Sequence, residues 1–356
     1  MVDVLVIFDG ASEPTRADGA PTSLELAATA ALDRLCAEGT LSRLRTVARW
    51  LAPGSESAIP ALLGWTPPAA VDRGLVEAAA YEAPVDHARG ERAWRVDVRT
   101  GDGARADADA VRAAVAALTA ALPSHRIVPL AGHRVLVVGV GRPARVAVPG
   151  LTLSAWPEGV VPPRVLDERT VVVAARGAAA GIGRLMGAQV VVPEGATGRP
   201  GSDLAAKAGA AVAALETGAE RVVVHVGGPD EAAHEGDRAA KVAAIEAADR
   251  DVVSPLAAAV RARGGTLRVC PDHGCDPADG THGAEPVPCL SWTADGAGVG
   301  AGAGAVLARA GAALAPAGAR AGAASAAAPA GAARLTERAV AHLPVTGLAP
   351  AAEAVA

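Results

Sequence analysis

Short apolar runs rich in valine recur along the chain, and most are followed at once by glycine, proline or aspartate. Runs of this kind are typical of strands buried on both faces of a sheet. We predict strands in five of them: "VDVLVIFDG" (2–10), "RTVVVAA" (169–175), "AQVVVPEG" (188–195), "RVVVHVGG" (221–228) and "TLRVCPDHG" (266–274).

Stretches with helical spacing separate these runs. The longest are "SLELAATAALDRLCAEG" (23–39), "DLAAKAGAAVAALETG" (203–218) and "DRAAKVAAIEAADRDVVSPLAAAVRARGG" (237–265). Strands that alternate with helices predict an α/β fold, with a doubly wound, mostly parallel sheet covered on both faces.

The order of predicted strands and helices changes between residues 72 and 150. A strand with a hairpin turn (93–103), a helix (107–122) and another strand (133–141) are predicted there. We interpret residues 72–150 as an inserted, smaller α/β lid domain, and residues 1–71 and 151–356 as a discontinuous core domain. Residues 295–333 are a low-complexity Ala/Gly-rich segment that we expect on the surface of the core.

Composition excludes several classes of function. The 356 residues carry a net charge of −5 without blocks of Lys or Arg, so we expect no nucleic-acid partner. No apolar stretch is long enough to span a bilayer, and no signal peptide is recognisable, so we expect no membrane partner. Four cysteines without a disulfide-type pattern favour a reducing cytoplasm, and Cys275 is interpreted as an incidental thiol.

Aspartate and histidine gather at the ends of three predicted strands. Ligands bind outside the carboxyl ends of the strands in doubly wound sheets, so these groups are expected to converge. They are Asp9, then Asp230 with His234, then Asp272 with His273; His282 follows within loop reach. Each alone is compatible with a turn, a helix cap or a surface position, and the joint pattern is what predicts a divalent metal site.

Asp230 and His234 are four residues apart after Pro229, which places both side chains on one face of a helical turn. A mixture of carboxylate and imidazole suits Mn²⁺ or Zn²⁺ better than Ca²⁺. Ser55 in "PGSES" is a candidate nucleophile, because a bound metal lowers the pKa of a hydroxyl; a turn or N-cap serine is the alternative. His225, inside a predicted strand, is expected in the core or supporting a ligand.

The chain resembles the archaeal-type 2,3-bisphosphoglycerate-independent phosphoglycerate mutases of the alkaline phosphatase superfamily. "PGSESAIPALLGWTP" is similar to the family's "PGSDxAxLSLLGYDP", and "VHVGGPDEAAHEGDRAAKVAAIEAAD" to its "VHxxxPDExxHEGDxxxKVxAIExxD". "PDHGCDPADGTHGAEPVPCL" is similar to "xDHxTP…HxxDPVPxL". The resemblance covers both ends of the chain and weakens in the middle.

The resemblance implies an alkaline phosphatase-like fold and two divalent ions, Mn²⁺ or Zn²⁺ with Mg²⁺ as an alternative, and no 2,3-bisphosphoglycerate. One ion would be held by Asp230, His234 and His282. The other would be held by Asp9, Asp272, His273 and Ser55, with Ser55 also the nucleophile. The implied reaction moves a phosphoryl group between the two hydroxyls of 3-phosphoglycerate and 2-phosphoglycerate, so the expected partner is a small phosphorylated substrate.

Three positions depart from the family. Ile59 stands where a histidine follows the nucleophile, Ala180 where a lysine precedes "GIG", and Asp97 where the "RCN" motif has an amide. Arg95 of that motif is retained and would bind the substrate's anionic end; a surface or hairpin arginine is the alternative. With fewer substrate contacts, a metal-dependent phosphatase and a metal-binding paralogue without catalysis stay as alternatives to a mutase.

Overall fold

The computed structural model describes residues 1–294 and 334–347. In this part of the chain the larger sheet has eight strands. Their spatial order is β14 (Val345–Gly347), β2 (Thr40–Arg45), β13 (Val287–Thr293), β10 (Gly265–Pro271), β1 (Val2–Phe8), β9 (Arg221–Val226), β7 (Thr170–Val173) and β8 (Gln189–Val191).

Strand β1 lies near the middle of this sheet and pairs in parallel with β10 and β9. Its last residue, Phe8, is opposite Pro271 of β10 and Val226 of β9, so the three strands end at the same level. Strand β13 runs antiparallel between β10 and β2, and the remaining pairs are parallel. The predicted mostly parallel α/β sheet is confirmed.

Both faces of the sheet are covered, which explains why its strands are apolar without alternation. Val4, Val6 and Phe8 point into one apolar cluster, and Leu5 and Ile7 point into a second cluster on the other face. The helices on the first face include α2 (Ala30–Glu38), α7 (Leu204–Glu216), α9 (Arg238–Ala248) and α10 (Ser254–Arg263). Those on the second face are α3 (Ser55–Leu62), α4 (Arg73–Ala80) and α6 (Ala178–Met186).

Two predicted helices are interrupted. The stretch 23–39 forms α1 (Ser23–Leu26) and α2, because the Asp249 carboxylate accepts hydrogen bonds from Ala31 N at 2.9 Å and Leu32 N at 2.7 Å and so starts α2 anew. The stretch 237–265 forms α9 and α10 with a π-helical segment, Asp249–Val253, between them. The same aspartate that opens this π-helical segment therefore caps a helix far away in the chain.

A smaller antiparallel sheet lies between β2 and β7 in the chain. Its spatial order is β4 (Arg126–Pro129), β5 (Arg134–Val140), β3 (Glu91–Thr100) and β6 (Leu151–Ala155). Helix α5 (Ala108–Ala121) packs on it through a separate apolar cluster. The strands of this sheet extend from residue 91 to residue 155, so β6 lies beyond the insertion expected at residues 72–150. The division into a core and a lid domain stays a prediction.

After residue 334 the chain returns to the larger sheet. Helix α11 spans Glu337–Val340, and β14 then pairs in parallel with β2. The low-complexity segment predicted at 295–333 lies outside the described residues. Within the described ranges, no helix is long and apolar enough to cross a membrane.

Candidate metal centre

The carboxyl ends of β1, β9 and β10 deliver the predicted ligands to one place. Asp9 follows β1 and Asp272 follows β10 directly, and α8 (Gly228–His234) begins two residues after β9. Pro229 occupies the first turn of α8, so Asp230 and His234 are one turn apart on the same helix. The predicted convergence of these side chains is observed.

Asp9 is the centre of the first group of side chains. Its Oδ1 accepts a hydrogen bond from Ser55 Oγ at 3.2 Å and lies 3.4 Å from His273 Nε2. Its Oδ2 lies 3.2 Å from His225 Nε2. Ser55 Oγ is also 3.4 Å from His273 Nε2, so the hydroxyl touches two of the predicted ligands.

Asp230 is the centre of the second group. Its Oδ2 lies 3.3 Å from His234 Nε2, and its Oδ1 lies 3.2 Å from His282 Nε2. The two imidazole Nε2 atoms are 2.9 Å apart. His282 is oriented through its other nitrogen, Nδ1, which lies 3.2 Å from the carbonyl oxygen of Pro53, just before Ser55.

Two members of these groups were missed as candidate ligands. Ligand atoms of Asp9, His225 and Asp272 lie within 4.8 Å of one another, and so do those of Asp230, His234, Cys275 and His282. His225 was expected only in the core or as support, and Cys275 as an incidental thiol. Their local sequence carries no signal for this role, because a strand residue and a lone cysteine are usually core positions.

Several buried polar atoms at this place have no hydrogen-bond partner. They include His225 Nε2, Asp230 Oδ1 and Asp272 Oδ2. His225 Nε2 lies near Asp9, and Asp230 Oδ1 lies near His282, but neither contact has the geometry of a hydrogen bond. A buried polar atom left without a partner is costly, and cations bound in the two groups would supply the missing partners. The donor set of carboxylates, imidazoles and a hydroxyl therefore fits divalent metal ions.

The surroundings shift the pKa values of Asp9 and Asp272 in opposite directions. Burial and the charge of Asp230 raise the pKa of Asp9, but the imidazoles of His225 and His273 outweigh them and hold it at about 2. Burial, and then the charge of Asp9, raise the pKa of Asp272 to about 6. Burial opposes the charged form of His273, but Asp272 and Asp9 raise its pKa well above the usual range. Without metal, the site is an ion cluster that a cation would reorganise.

Buried polar groups behind the site fix its loops. The Lys241 ammonium is fully buried and is bound by Ser12 O at 3.2 Å, Glu13 Oε2 at 3.1 Å and Cys275 O at 2.6 Å. Glu337 of α11 accepts hydrogen bonds from Ser12 Oγ and Glu13 N, both at 3.0 Å. These contacts tie the loop after Asp9 to the loop after His273.

A second buried lysine lies beneath β9. Lys207 is fully buried and donates a hydrogen bond to the carbonyl oxygen of His225 at 2.7 Å. Burial lowers its pKa to about 8, against the opposing influence of Asp9. Lys207 therefore places a positive charge next to the backbone of His225, close enough to Asp9 for the two charges to interact.

Arg95 is not among these groups. It is 6% exposed, and its Nε donates to Asp97 Oδ1 at 2.8 Å while Nη2 donates to Asp97 Oδ2 at 3.2 Å. Glu77 accepts a further hydrogen bond from Nη1 at 3.4 Å, and Trp156 lies under the guanidinium. Ile59 and Ala180 are buried in the apolar cluster on the second face of the larger sheet. The predicted role of Arg95 in substrate binding stays a prediction.

The fold and the site together define an α/β protein with clustered metal-type ligands at the carboxyl edge of a parallel sheet. The family described as the metalloenzyme superfamily matches residues 1–317. The chain belongs to that superfamily.

Named relatives agree with this assignment. A 2,3-bisphosphoglycerate-independent phosphoglycerate mutase of Methanopyrus kandleri is 40% identical over 115 residues, which are 32% of this chain and 27% of the relative. The one of Methanothrix thermoacetophila is 28% identical over an alignment of 351 positions, covering 80% of this chain and 89% of the relative. The resemblance to this family is therefore confirmed.

The aligned regions cover only part of the length of some relatives. This chain spans 27% of the Methanopyrus protein and 39% of the corresponding mutase of Methanosarcina acetivorans. Among solved structures, a protein of Pyrococcus horikoshii has a TM-score of 0.67 at 22% identity, with 82% of this chain and 87% of that chain covered. That similarity establishes the fold.

Proposed function

We propose that this chain transfers a phosphoryl group through a phosphoserine at Ser55, using two divalent metal ions. The observation that carries the proposal is the position of the Ser55 hydroxyl, in contact with Asp9 and His273 where the strand ends meet. One ion would be held by Asp9, Ser55, Asp272 and His273, and the other by Asp230, His234 and His282. Mn²⁺ or Zn²⁺ suits these ligands.

Two divalent ions bound at these residues would lower the pKa of the serine hydroxyl and stabilise negative charge on the attacking and leaving oxygens. The residues of the chain orient the nucleophile. Ser55 is the first residue of α3, so the positive end of the helix dipole faces its oxygen and favours negative charge there. Asp9 holds the hydroxyl through its Oδ1.

The proposed reaction is the interconversion of 3-phosphoglycerate and 2-phosphoglycerate. Ser55 Oγ would form a bond to phosphorus as the substrate's ester oxygen leaves and takes a proton. The other hydroxyl of the same molecule would then attack the phosphoserine and release Ser55. Phosphate is neither consumed nor set free, and 2,3-bisphosphoglycerate is not required. Support comes from the named relatives, which are mutases of this type.

Phosphomonoester hydrolysis is the second candidate, and one observation favours it. A mutase must retain the dephosphorylated half of its substrate, which bears a carboxylate that arginine would bind. Both carboxylate oxygens of Asp97 are within hydrogen-bond distance of Arg95, so this guanidinium is already neutralised. Escape of the product half would leave the phosphoserine to water.

A parallel assay separates the candidates. Metal-free protein is reloaded with Mn²⁺ or Zn²⁺ and given 3-phosphoglycerate or an aryl phosphate. Isomerisation without free phosphate supports the mutase, and release of phosphate from either substrate supports the hydrolase. Inactivity on both with metal bound would refute both candidates and leave a metal-binding protein.

Ser55→Ala tests the phosphoserine. We expect turnover to fall by at least about a thousandfold, because the acceptor oxygen is removed. Metal content measured by elemental analysis should persist, since six proposed ligands remain. Ser57→Ala is the matched control, because Ser57 lies on the same helix but donates its hydroxyl to Ala52 O at 2.8 Å. Unchanged turnover in Ser55→Ala would exclude Ser55 as the nucleophile.

A further inference from the structure

We propose that the sulfur of Cys275 is a fourth ligand of the ion held by Asp230, His234 and His282. This inference rests on the proposed metal centre and gives its two halves different chemical characters. The half around Asp230 would be a Cys–Asp–His–His site that selects a thiophilic cation such as Zn²⁺. The half around Asp9 has oxygen and nitrogen donors.

The backbone places Cys275 opposite His282. Residues Gly274–Cys275 (β11) pair antiparallel with His282–Gly283 (β12), and Cys275 is directly across from His282 in the register. Directly opposed residues of an antiparallel pair project their side chains from the same face, with Cβ atoms about 5 Å apart. The thiol and the imidazole are therefore presented together by one short hairpin.

The four side chains meet at one place, where Cys275 and Asp230 are buried and His234 and His282 are partly exposed. The thiol sulfur, one carboxylate oxygen of Asp230 and one ring nitrogen each of His234 and His282 all lie within 4.8 Å of one another. Cys275 is fully buried and Asp230 is 8% exposed. Asp230 Oδ1 is buried without a hydrogen-bond partner, so the carboxylate has capacity for a cation at this point.

Two hydrogen bonds fix the backbone of Cys275 and therefore restrict the position of its sulfur. Cys275 N donates to Ser12 O at 2.8 Å, and Cys275 O accepts from the buried Lys241 ammonium at 2.6 Å. A rigid backbone reduces the entropy that is lost when a side chain becomes a ligand. Neither contact uses the sulfur, whose side-chain hydrogen-bond partner is Asp230, a ligand of the same proposed ion.

Two imidazoles, one carboxylate and one thiolate are ligand types that Zn²⁺ binds tetrahedrally, and Zn²⁺ can expand to five ligands when a reacting oxygen also binds. Binding would break the S–H bond, form a sulfur–metal bond and release the proton to solvent. Sulfur ligands favour Zn²⁺ over the hard ions Mg²⁺ and Mn²⁺, which prefer oxygen. Cys275 is thus a residue that determines metal specificity at this half of the centre.

The test uses the full chain, stripped with a chelator and titrated with Co²⁺. We expect near-ultraviolet absorption from sulfur-to-cobalt charge transfer in the native protein and in Cys36→Ala, a control at another buried cysteine. Cys275→Ser should lose that absorption but keep the visible cobalt bands. Its Kd for Zn²⁺ should rise by at least about tenfold, while Mn²⁺ binding is unchanged.

X-ray absorption of the native protein with one equivalent of Zn²⁺ gives a second measurement that needs no variant. A zinc–sulfur distance of about 2.3 Å is expected beside nitrogen and oxygen at about 2.0 Å. Metal binding without a sulfur signal, or an unchanged Zn²⁺ Kd in Cys275→Ser, would overturn the role of Cys275 and spare the metal centre. Failure of the native protein to bind Co²⁺ or Zn²⁺ would overturn both proposals.

Discussion

Asp272→Asn should affect the metal-free and the metal-loaded protein in opposite directions. Asp272 is fully buried, and its Oδ1 accepts hydrogen bonds from Gly10 N at 3.0 Å and His273 N at 2.9 Å. Its Oδ2 has no hydrogen-bond partner and lies 3.5 Å from His273 Nε2. Asparagine has the same shape and keeps an oxygen for both amides. The substitution therefore removes a charge and little else.

The magnitude follows from the raised pKa. Burial, and then Asp9, raise the pKa of Asp272 from 3.8 to about 6 in the folded protein. The folded state therefore binds this proton more tightly than the unfolded state does. Its contribution to stability is complete below the unfolded pKa and is lost as pH rises through about 6. A rise in pKa from 3.8 to about 6 corresponds to about 3 kcal/mol.

Urea unfolding of chelator-treated protein, from about pH 4 to about pH 8, measures this effect. At the upper end we expect Asp272→Asn to be more stable than the native protein by up to about 3 kcal/mol, and the difference should vanish near the lower end. Mn²⁺ at about 1,000 times its Kd should reverse the order, because it adds about 4.1 kcal/mol to a protein that binds it, which exceeds the advantage of about 3 kcal/mol expected for the metal-free variant.

Asp109→Asn is the control, since that aspartate on α5 has a side chain 81% exposed and should change stability by less than about 0.5 kcal/mol. A metal-free Asp272→Asn protein that is less stable at about pH 8 would refute the argument. A stability difference that does not vary with pH would refute it as well.

Two further predictions concern packing and the arginine of the smaller sheet. Gly181→Ala should destabilise the folded protein by about 1–3 kcal/mol, because the new Cβ would come within 2.0 Å of Val76 O. Gly209→Ala has nothing within 4 Å of the new Cβ and should stabilise the protein by about 0.5–1 kcal/mol. Thermal unfolding compares the two variants, and equal effects would contradict the close helix contact at Gly181. Asp97→Asn should leave Glu77 as the remaining carboxylate partner of Arg95. The freed guanidinium should lower KM for 3-phosphoglycerate by about tenfold, as measured by steady-state kinetics. An unchanged KM would show that Arg95 does not contact the substrate.

The helix predictions show where local pattern is insufficient. The apolar spacing of residues 23–39 is compatible with one helix, and that interval holds no Pro and no Gly before Gly39. The break at residues 27–29 is stabilised by remote groups. Asp249 caps the second helix, and Glu246 Oε1 accepts a hydrogen bond from Ala28 N at 2.9 Å. No reading of the local segment reveals partners that are more than 200 residues away.

The candidate site divides in the same way. Asp9, Asp272 and the Asp230–His234 pair could be predicted, because each follows an apolar run and parallel strands end at one edge of a sheet. Cys275 could not be predicted, since its position opposite His282 depends on a hairpin of two residues per strand. The pairing of Arg95 with Asp97 was likewise hidden, although these residues are neighbours on one strand.

The sequence by itself determined the parallel α/β class, the strands that form its centre and the aspartates and histidines at their ends. These features follow from the periodicity of apolar residues and from the chemistry of single side chains, which are local properties. Only the tertiary structure decided which of these groups touch, which polar atoms stay without a partner and which arginine is already neutralised. Those outcomes depend on distances between residues far apart in the chain, and packing of the whole fold sets them.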